Sequence, residues 1–229
     1  MINQLHHLKS MKILTILSFL FLSATAASAN SLDDKENFLI TVSRFESAIL
    51  KLNKHINKNN ATRLGTLISI ESKKRKIDPR VFLAIINTES SFNQKALNKN
   101  KNGSVDVSLA QINSGAWTPK RFKEKTGKTL DLKRLKENDA YAIWVMGEIL
   151  SLLKNNFARK DKWWFANYHS ATPSFKRLYI TRLCHSFKQL KPFGRNLLKD
   201  MPEIKSLASL HQINPVEFAS SNNRGPYEF

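Results

Sequence analysis

Apolar residues recur at helical spacing along most of the chain. Phe38, Val42, Phe45, Ile49, Leu52 and Ile56 punctuate a polar stretch over 31–60 in steps of three and four. That spacing predicts an amphipathic helix ending in the polar run Asn57 to Asn60. Over 61–76, Leu64, Leu67 and Ile68 mark a second helix with a basic exit. Glu71 stands one turn before Arg75, the spacing of a surface ion pair. Asp78-Pro79 reads as an N-cap followed by proline at the first helical position, where the missing N–H costs nothing. A third helix then runs to about Ser91. Lys95 to Val107 is rich in Asn, Lys, Gly and Ser and reads as a loop, with a tight turn at Asn102-Gly103. Residues 117–135 are basic and broken at Thr118-Pro119 and Thr126-Gly127. Asn138 is placed to cap a long core helix holding Ile143, Met146, Leu150 and Leu153. Trp163 to Tyr168 is a short aromatic-rich helix. Thr172-Pro173 repeats the cap-and-proline start and opens a last helix over 173–190. The fold class expected from this pattern is mainly α, with at most a small β element. No internal repeat is visible.

The first residues follow a different pattern. Lys9 and Lys12 precede an apolar run from Ile13 to Leu22, and Ala27-Ser28-Ala29 supplies small residues ahead of Asn30. This layout predicts a secretory signal peptide over 1–29, with Met11 as the tidier start. The run is short for a membrane-spanning helix, which needs ~20 apolar residues. The expected destination is the periplasm or cell envelope. About 200 residues follow, enough for one domain with a real core.

With 37 basic against 18 acidic residues, the chain carries a formal charge of +19. The leader takes away Lys9 and Lys12 and no acid, so the exported chain stays strongly basic. Such a balance points to an anionic partner or surface. Beside an export signal it favours the cell envelope over nucleic acid. The single cysteine, Cys184, allows no internal disulfide and reads as a small core residue. His55, His169, His185 and His211 are dispersed without metal-ligand spacing, so neither a metal nor any other cofactor is expected.

One carboxylate stands out. Phe82, Ile85, Ile86 and Glu89 fall at i, i+3, i+4 and i+7 and share a helix face. A carboxyl held against apolar walls favours its neutral form, as a general acid near neutral pH must. The same spacing also fits a glutamate pointing past the core edge into water. Asp106 is the other candidate carboxylate, although its place in a turn-rich loop suits a local cap.

The pieces around Glu89 carry a resemblance. Ile77-Asp78-Pro79, Ala84-Ile85, Glu89-Ser90, Phe92-Asn93, Ala96, Asn102-Gly103-Ser104, Asp106, Leu109 and Gln111-Ile112-Asn113 occur in order over about 35 residues. Together they resemble the catalytic core of the soluble-type (SLT) lytic transglycosylases, which have a goose-type-lysozyme-like fold. Two positions depart from the family pattern: Ser108 stands where glycine is usual, and Ala110 where methionine is frequent. Further on, Tyr168-His169-Ser170-Ala171-Thr172-Pro173 followed by Tyr179 resembles the branch associated with conjugation and type IV secretion.

The resemblance covers about 61–190. It implies a lysozyme-like domain there, a helical extension over 30–60 and a polar tail over 191–229. It implies Glu89 as general acid and then base. Ser90, Gln111, Asn113 and Tyr168 are the implied cleft and substrate-binding residues, with His169 and Asp106 in support. The implied partner is the peptidoglycan glycan strand, and beyond it a secretion or conjugation machine. Glycosidases ordinarily need two carboxylates. In lytic transglycosylases the muramic acid's own 6-hydroxyl closes a 1,6-anhydro ring, so one glutamate serves both steps. Three alternatives stay open at this stage: a hydrolytic muramidase with Asp106 as base, a catalytically silent wall-binding scaffold, and a basic envelope or nucleic-acid binder.

Overall fold

A computed structural model describes residues 33–194 and residue 197. The leader 1–29, its Ala27-Ser28-Ala29 cleavage site and nearly all of the 191–229 tail lie outside the described residues. The first helix, α1, covers 33–52. It is followed by α2 (Lys58–Arg75), α3 (Pro79–Ser90), β1 (Leu97–Lys99), β2 (Val105–Val107) and β3 (Ile112–Asn113). Then come α4 (Trp117–Thr126), α5 (Leu132–Glu137), α6 (Asp139–Phe157), a 3-10 turn (Trp164–Tyr168) and α7 (Pro173–Leu190). The three strands form one antiparallel sheet in chain order, with Leu97 opposite Val107 and Asp106 opposite Asn113. The fold is mainly α with a small β element, as the periodicity implies.

Local chemistry accounts for most of the element boundaries. Asp78 accepts the Arg80 N–H at 2.9 Å ahead of Pro79. Asn138 accepts the Tyr141 N–H at 2.8 Å and starts α6. Gly127 ends α4 with φ +72°, a conformation open to glycine at little cost. Three expectations need correction. Asn57 does not end α1; it caps α2, accepting the Asn60 N–H at 2.8 Å. Residues 95–107 are not all loop but the first hairpin of the sheet, turning at Gly103 with φ +81°. Pro119 does not break the chain, because it sits in the first turn of α4, where no helical N–H is required.

The core gathers around α3. Val81, Phe82, Leu83, Ala84, Ile85 and Ile86 are all buried, so this helix is covered on every side rather than along one stripe. Helix α7 packs against its C-terminal part: Asn87 Nδ2 donates to Ser186 Oγ at 2.9 Å, and Tyr179 meets Glu89. Helix α1 adds Phe45, Ala48 and Ile49 to the same core. It approaches α2 so closely that a methyl group on Gly65 would lie 2.9 Å from Phe45 Cβ. Leu190, at the end of α7, and Leu197 beyond it are buried in the core as well. Cys184 is half-buried rather than enclosed. Among the described residues no helix is long and apolar enough to cross a membrane.

The Glu71–Arg75 pair is not a surface feature. Arg75 is only 7% exposed; its Nε donates to Glu71 at 2.7 Å and its Nη2 to Glu148 on α6 at 2.9 Å. Its Nη1 reaches Ser151 Oγ at 3.3 Å. Lys125 on α4 also binds Glu148, at 3.3 Å, so the cluster ties three helices together. Burial lifts the Glu71 carboxyl above its ordinary range against the pull of Arg75. At Glu148 burial acts the same way, but hydrogen bonds from Arg75 and Lys125 outweigh it and hold the carboxyl low. Arg63 and Asp139 make a second inter-helix pair, with the aspartate almost fully buried.

The guanidinium of Arg75 fits because residue 147 has no side chain. A Cβ built on Gly147 would lie 2.3 Å from Arg75 Nε. Gly147→Ala is therefore expected to destabilise the protein despite the better helix propensity of alanine. Displacing a buried, doubly paired arginine should cost about 2–3 kcal/mol net. Urea unfolding of the two proteins measures it, and an unchanged midpoint would show that Arg75 moves aside freely.

Candidate active site

Glu89 is the next-to-last residue of α3. Two backbone segments bracket it, and both are bent into conformations that side chains rarely adopt. Ser91 and Phe92 follow the helix with φ +52° and +65°, and Ser108 and Gln111 have φ +72° and +47°. Non-glycine residues in this region carry strain that the surroundings must offset. At Ser108, where the resembled family has glycine, the hydroxyl-bearing side chain is fully buried. Ser90 clips the two segments together: its Oγ donates to the Leu109 carbonyl at 2.6 Å. The 108–111 turn is also anchored to the hairpin, with the Ser108 N–H donating to the Ala96 carbonyl at 3.0 Å.

The carboxylate itself is only 14% exposed. Tyr179 Oη donates to Glu89 Oε1 at 2.6 Å. The His169 ring stacks on the Tyr179 ring, with centroids 4.7 Å apart and planes 13° from parallel. That stacking brings His169 Nδ1 to 4.0 Å from Glu89 Oε1 while the imidazole stays 43% exposed. Burial is the largest influence on Glu89 and raises its pKa to about 7. The Tyr179 hydrogen bond opposes that rise, Asp106 adds to it, and Arg182 draws it down. His169 is shifted the other way: burial and the Arg182 charge lower its pKa, although Asp106 supports the charged form. Burial lifts both tyrosines well above their ordinary range, with the Glu89 charge adding to it.

The implied site residues divide into two groups. Glu89, Asp106, Tyr168 and His169 are electrostatically within reach of one another. Ser90, Gln111 and Asn113 are instead engaged in holding the cleft segments. Gln111 Nε2 donates to the Ser108 carbonyl at 2.9 Å. Asn113 Nδ2 donates to Asp106 Oδ1 at 2.6 Å, and its Oδ1 accepts the Gly115 N–H at 2.7 Å. Asp106 lies on β2, not in a turn. Its second oxygen accepts from Asn100 Nδ2 at 3.0 Å and Asn98 Nδ2 at 3.3 Å. The carboxylate is thus fixed by three amides. Tyr168 Oη donates to the Ala110 carbonyl at 2.7 Å and supports the 108–111 turn. The tyrosine bonded to Glu89 is Tyr179. The resemblance includes Tyr179 as the tyrosine after YHSATP but gives the cleft role to Tyr168. The role of Tyr179 depends on how α7 docks against α3, which residue spacing does not encode.

This arrangement can supply and reclaim one proton at a cleft edge. Among the described residues no group of three or more His, Cys, Asp or Glu side chains is placed to hold a metal ion. Residues 66–169 match the family model of the transglycosylase SLT domain. The match supports the lytic transglycosylase family and peptidoglycan as the substrate class, and the lysozyme-like helical fold agrees with it. The matched segment contains Glu89, the hairpin, the 108–111 turn, Tyr168 and His169, and stops short of Tyr179. No curated protein matches the chain.

A buried carboxyl with a raised pKa makes stability depend on pH. Between the unfolded value, 4.5, and the folded value, about 7, the folded protein holds a proton that the unfolded chain has released. Stability from this group is complete below pH 4.5 and is lost as pH rises to 7 and above. Glu89→Gln removes the titration. It should match the parent near pH 4 and exceed it by up to about 3 kcal/mol at pH 8. Denaturant unfolding at the two pH values tests this, and a constant gap would mean that Glu89 ionises without penalty.

Proposed function

We propose that the protein is a peptidoglycan lytic transglycosylase that cuts the β-1,4 bond between N-acetylmuramic acid and N-acetylglucosamine and leaves 1,6-anhydromuramic ends. The observation that carries this reading is Glu89: a buried carboxyl with a pKa of about 7, hydrogen-bonded to Tyr179 at the margin of the core. Near neutral pH such a group is protonated often enough to act as an acid and ionised often enough to act as a base.

In the first step Glu89 donates its proton to the glycosidic oxygen, and the bond to the muramic C1 breaks. The N-acetylglucosamine part leaves with that proton. Tyr179, donating to Oε1, stabilises the new carboxylate. Glu89 then takes the proton of the muramic 6-hydroxyl as that oxygen bonds to C1, which returns the carboxyl to its starting state. The nucleophile is part of the substrate, and intramolecular attack carries a large effective concentration. Asp106 is held by three amide donors. That fits a carboxylate that shapes the cleft and its potential better than one that activates a water.

The export layout of residues 1–29 and the basic charge support a cell-envelope setting for this activity. The YHSATP element (168–173) supports a finer reading, in which the enzyme opens the wall locally for a secretion or conjugation machine. Unchanged recruitment to such a machine on deleting α1 or the tail would count against it.

Digestion of purified peptidoglycan, read by mass spectrometry, tests the chemistry. Anhydromuropeptides should appear with the parent and fall at least a thousandfold with Glu89→Gln. Reducing-end products would instead identify a hydrolase, with Asp106 as the next residue to replace. Tyr179→Phe gives an independent check. It removes the hydrogen bond that lowers the Glu89 pKa, so the group should stay protonated to higher pH. The alkaline limb of the rate profile is expected to move upward by about one unit while the maximal rate falls. A limb that stays in place would detach Tyr179 from the proton transfer.

A further inference from the structure

At the end of α3 away from Glu89, the surface is hollowed into a groove of about 510 Å³. Trp163, Trp164 and Phe187 give it aromatic walls, and Lys76, Lys154 and Lys162 line it with ammonium groups. Its shape is built in. Trp163 packs against Phe187 with ring centroids 6.4 Å apart. Lys154 Nζ donates to the Lys76 carbonyl at 2.6 Å, which pins the left-handed end of α2 to the last turn of α6. Asp78 is the carboxylate in the lining, and it is occupied. It accepts the Arg80 backbone N–H at 2.9 Å and the Arg80 guanidinium at 3.0 and 2.5 Å. Aspartate and arginine therefore cancel. Among the described residues, none of the three lysines is paired with a carboxylate in the protein.

We propose that this groove is a second wall-binding site, which takes the carboxylate-bearing peptide stem of a peptidoglycan strand. The identity of the polymer rests on the function proposed above. The groove's own chemistry specifies an anionic ligand with an apolar body. Ammonium groups meet carboxylates, and the aromatic walls cover aliphatic side chains and backbone. The volume is that of a site for a ligand of a few residues. The two tryptophans lie half-buried in a concavity instead of projecting, which suits a short peptide better than a bilayer surface. From Arg80 to Glu89 the helix rises about 14 Å. The groove is thus separate from the cleft and engages another part of the same polymer. Holding the polymer at two points raises the effective concentration of glycan at Glu89.

The test titrates the full chain, carrying Glu89→Gln so that no glycan is consumed, with two soluble probes. One is a wall disaccharide bearing a tetrapeptide stem, and the other is the same disaccharide without the peptide. Calorimetry and tryptophan fluorescence report binding. The stem-bearing probe should bind at least tenfold more tightly, and Lys76→Glu combined with Lys162→Glu should remove about tenfold of that affinity. In the Glu89 background, the same double variant should cleave stem-free glycan at the parent rate. Equal affinity for both probes, or indifference to the charge reversal, would overturn the proposal. So would binding that appears only with anionic lipid vesicles or with DNA. The two readings can fail separately. Stem binding without anhydro products would sink the catalytic reading and leave the groove, whereas anhydro products without stem binding would do the reverse.

Discussion

Everything in this domain depends on burying α3 on all sides. A helix whose Val81 to Ile86 segment is wholly enclosed cannot lie on a surface, and α2 and α7 pack directly against it. The hydrophobic effect that drives this burial also carries Glu89, three residues beyond Ile86, to the margin of the core. There the carboxyl is desolvated without being sealed in. Its pKa of about 7 follows from where the helix ends. Any change that let α3 slide or tilt would move the carboxyl toward water or deeper into the core, and in either case away from neutral-pH proton exchange.

A raised carboxyl pKa is an energetic cost that the rest of the fold must offset, and so are the four left-handed side-chain-bearing residues around it. Strain and desolvation concentrated at one place are usual at functional sites. Here the compensation is local and polar. Ser90 to Leu109, Tyr168 to Ala110 and Asn113 to Asp106 each join two segments of the cleft by a hydrogen bond shorter than 2.8 Å. The residues implied as sugar ligands thus double as the frame that keeps the cleft in shape.

Features set by local chemistry were legible in the sequence. Asp78-Pro79 and Asn138 begin helices where cap chemistry says they should, and Thr172-Pro173 begins one through its proline, without a side-chain cap. The stripe of Phe82, Ile85, Ile86 and Glu89 was visible for the same reason. What escaped depends on contacts between distant segments. β1 is exposed at all three positions, so it lacks the alternation that betrays a strand. The helical pattern of α2 places Arg75 among polar neighbours, and only Gly147 and Glu148 on α6 make its position an interior one. Tyr168 and Tyr179 are indistinguishable as residues. The packing of α7 on α3 decides which of them reaches the carboxylate.

That packing joins positions 90 residues apart. A contact of such long sequence separation carries the loop-closure cost of all the chain between its ends. A chain still emerging, or one cut ahead of Pro173, holds the glutamate but not the hydroxyl that completes it. If the proposed activity holds, this is a form of restraint. The Glu89–Tyr179 pair exists only where α7 has docked on α3.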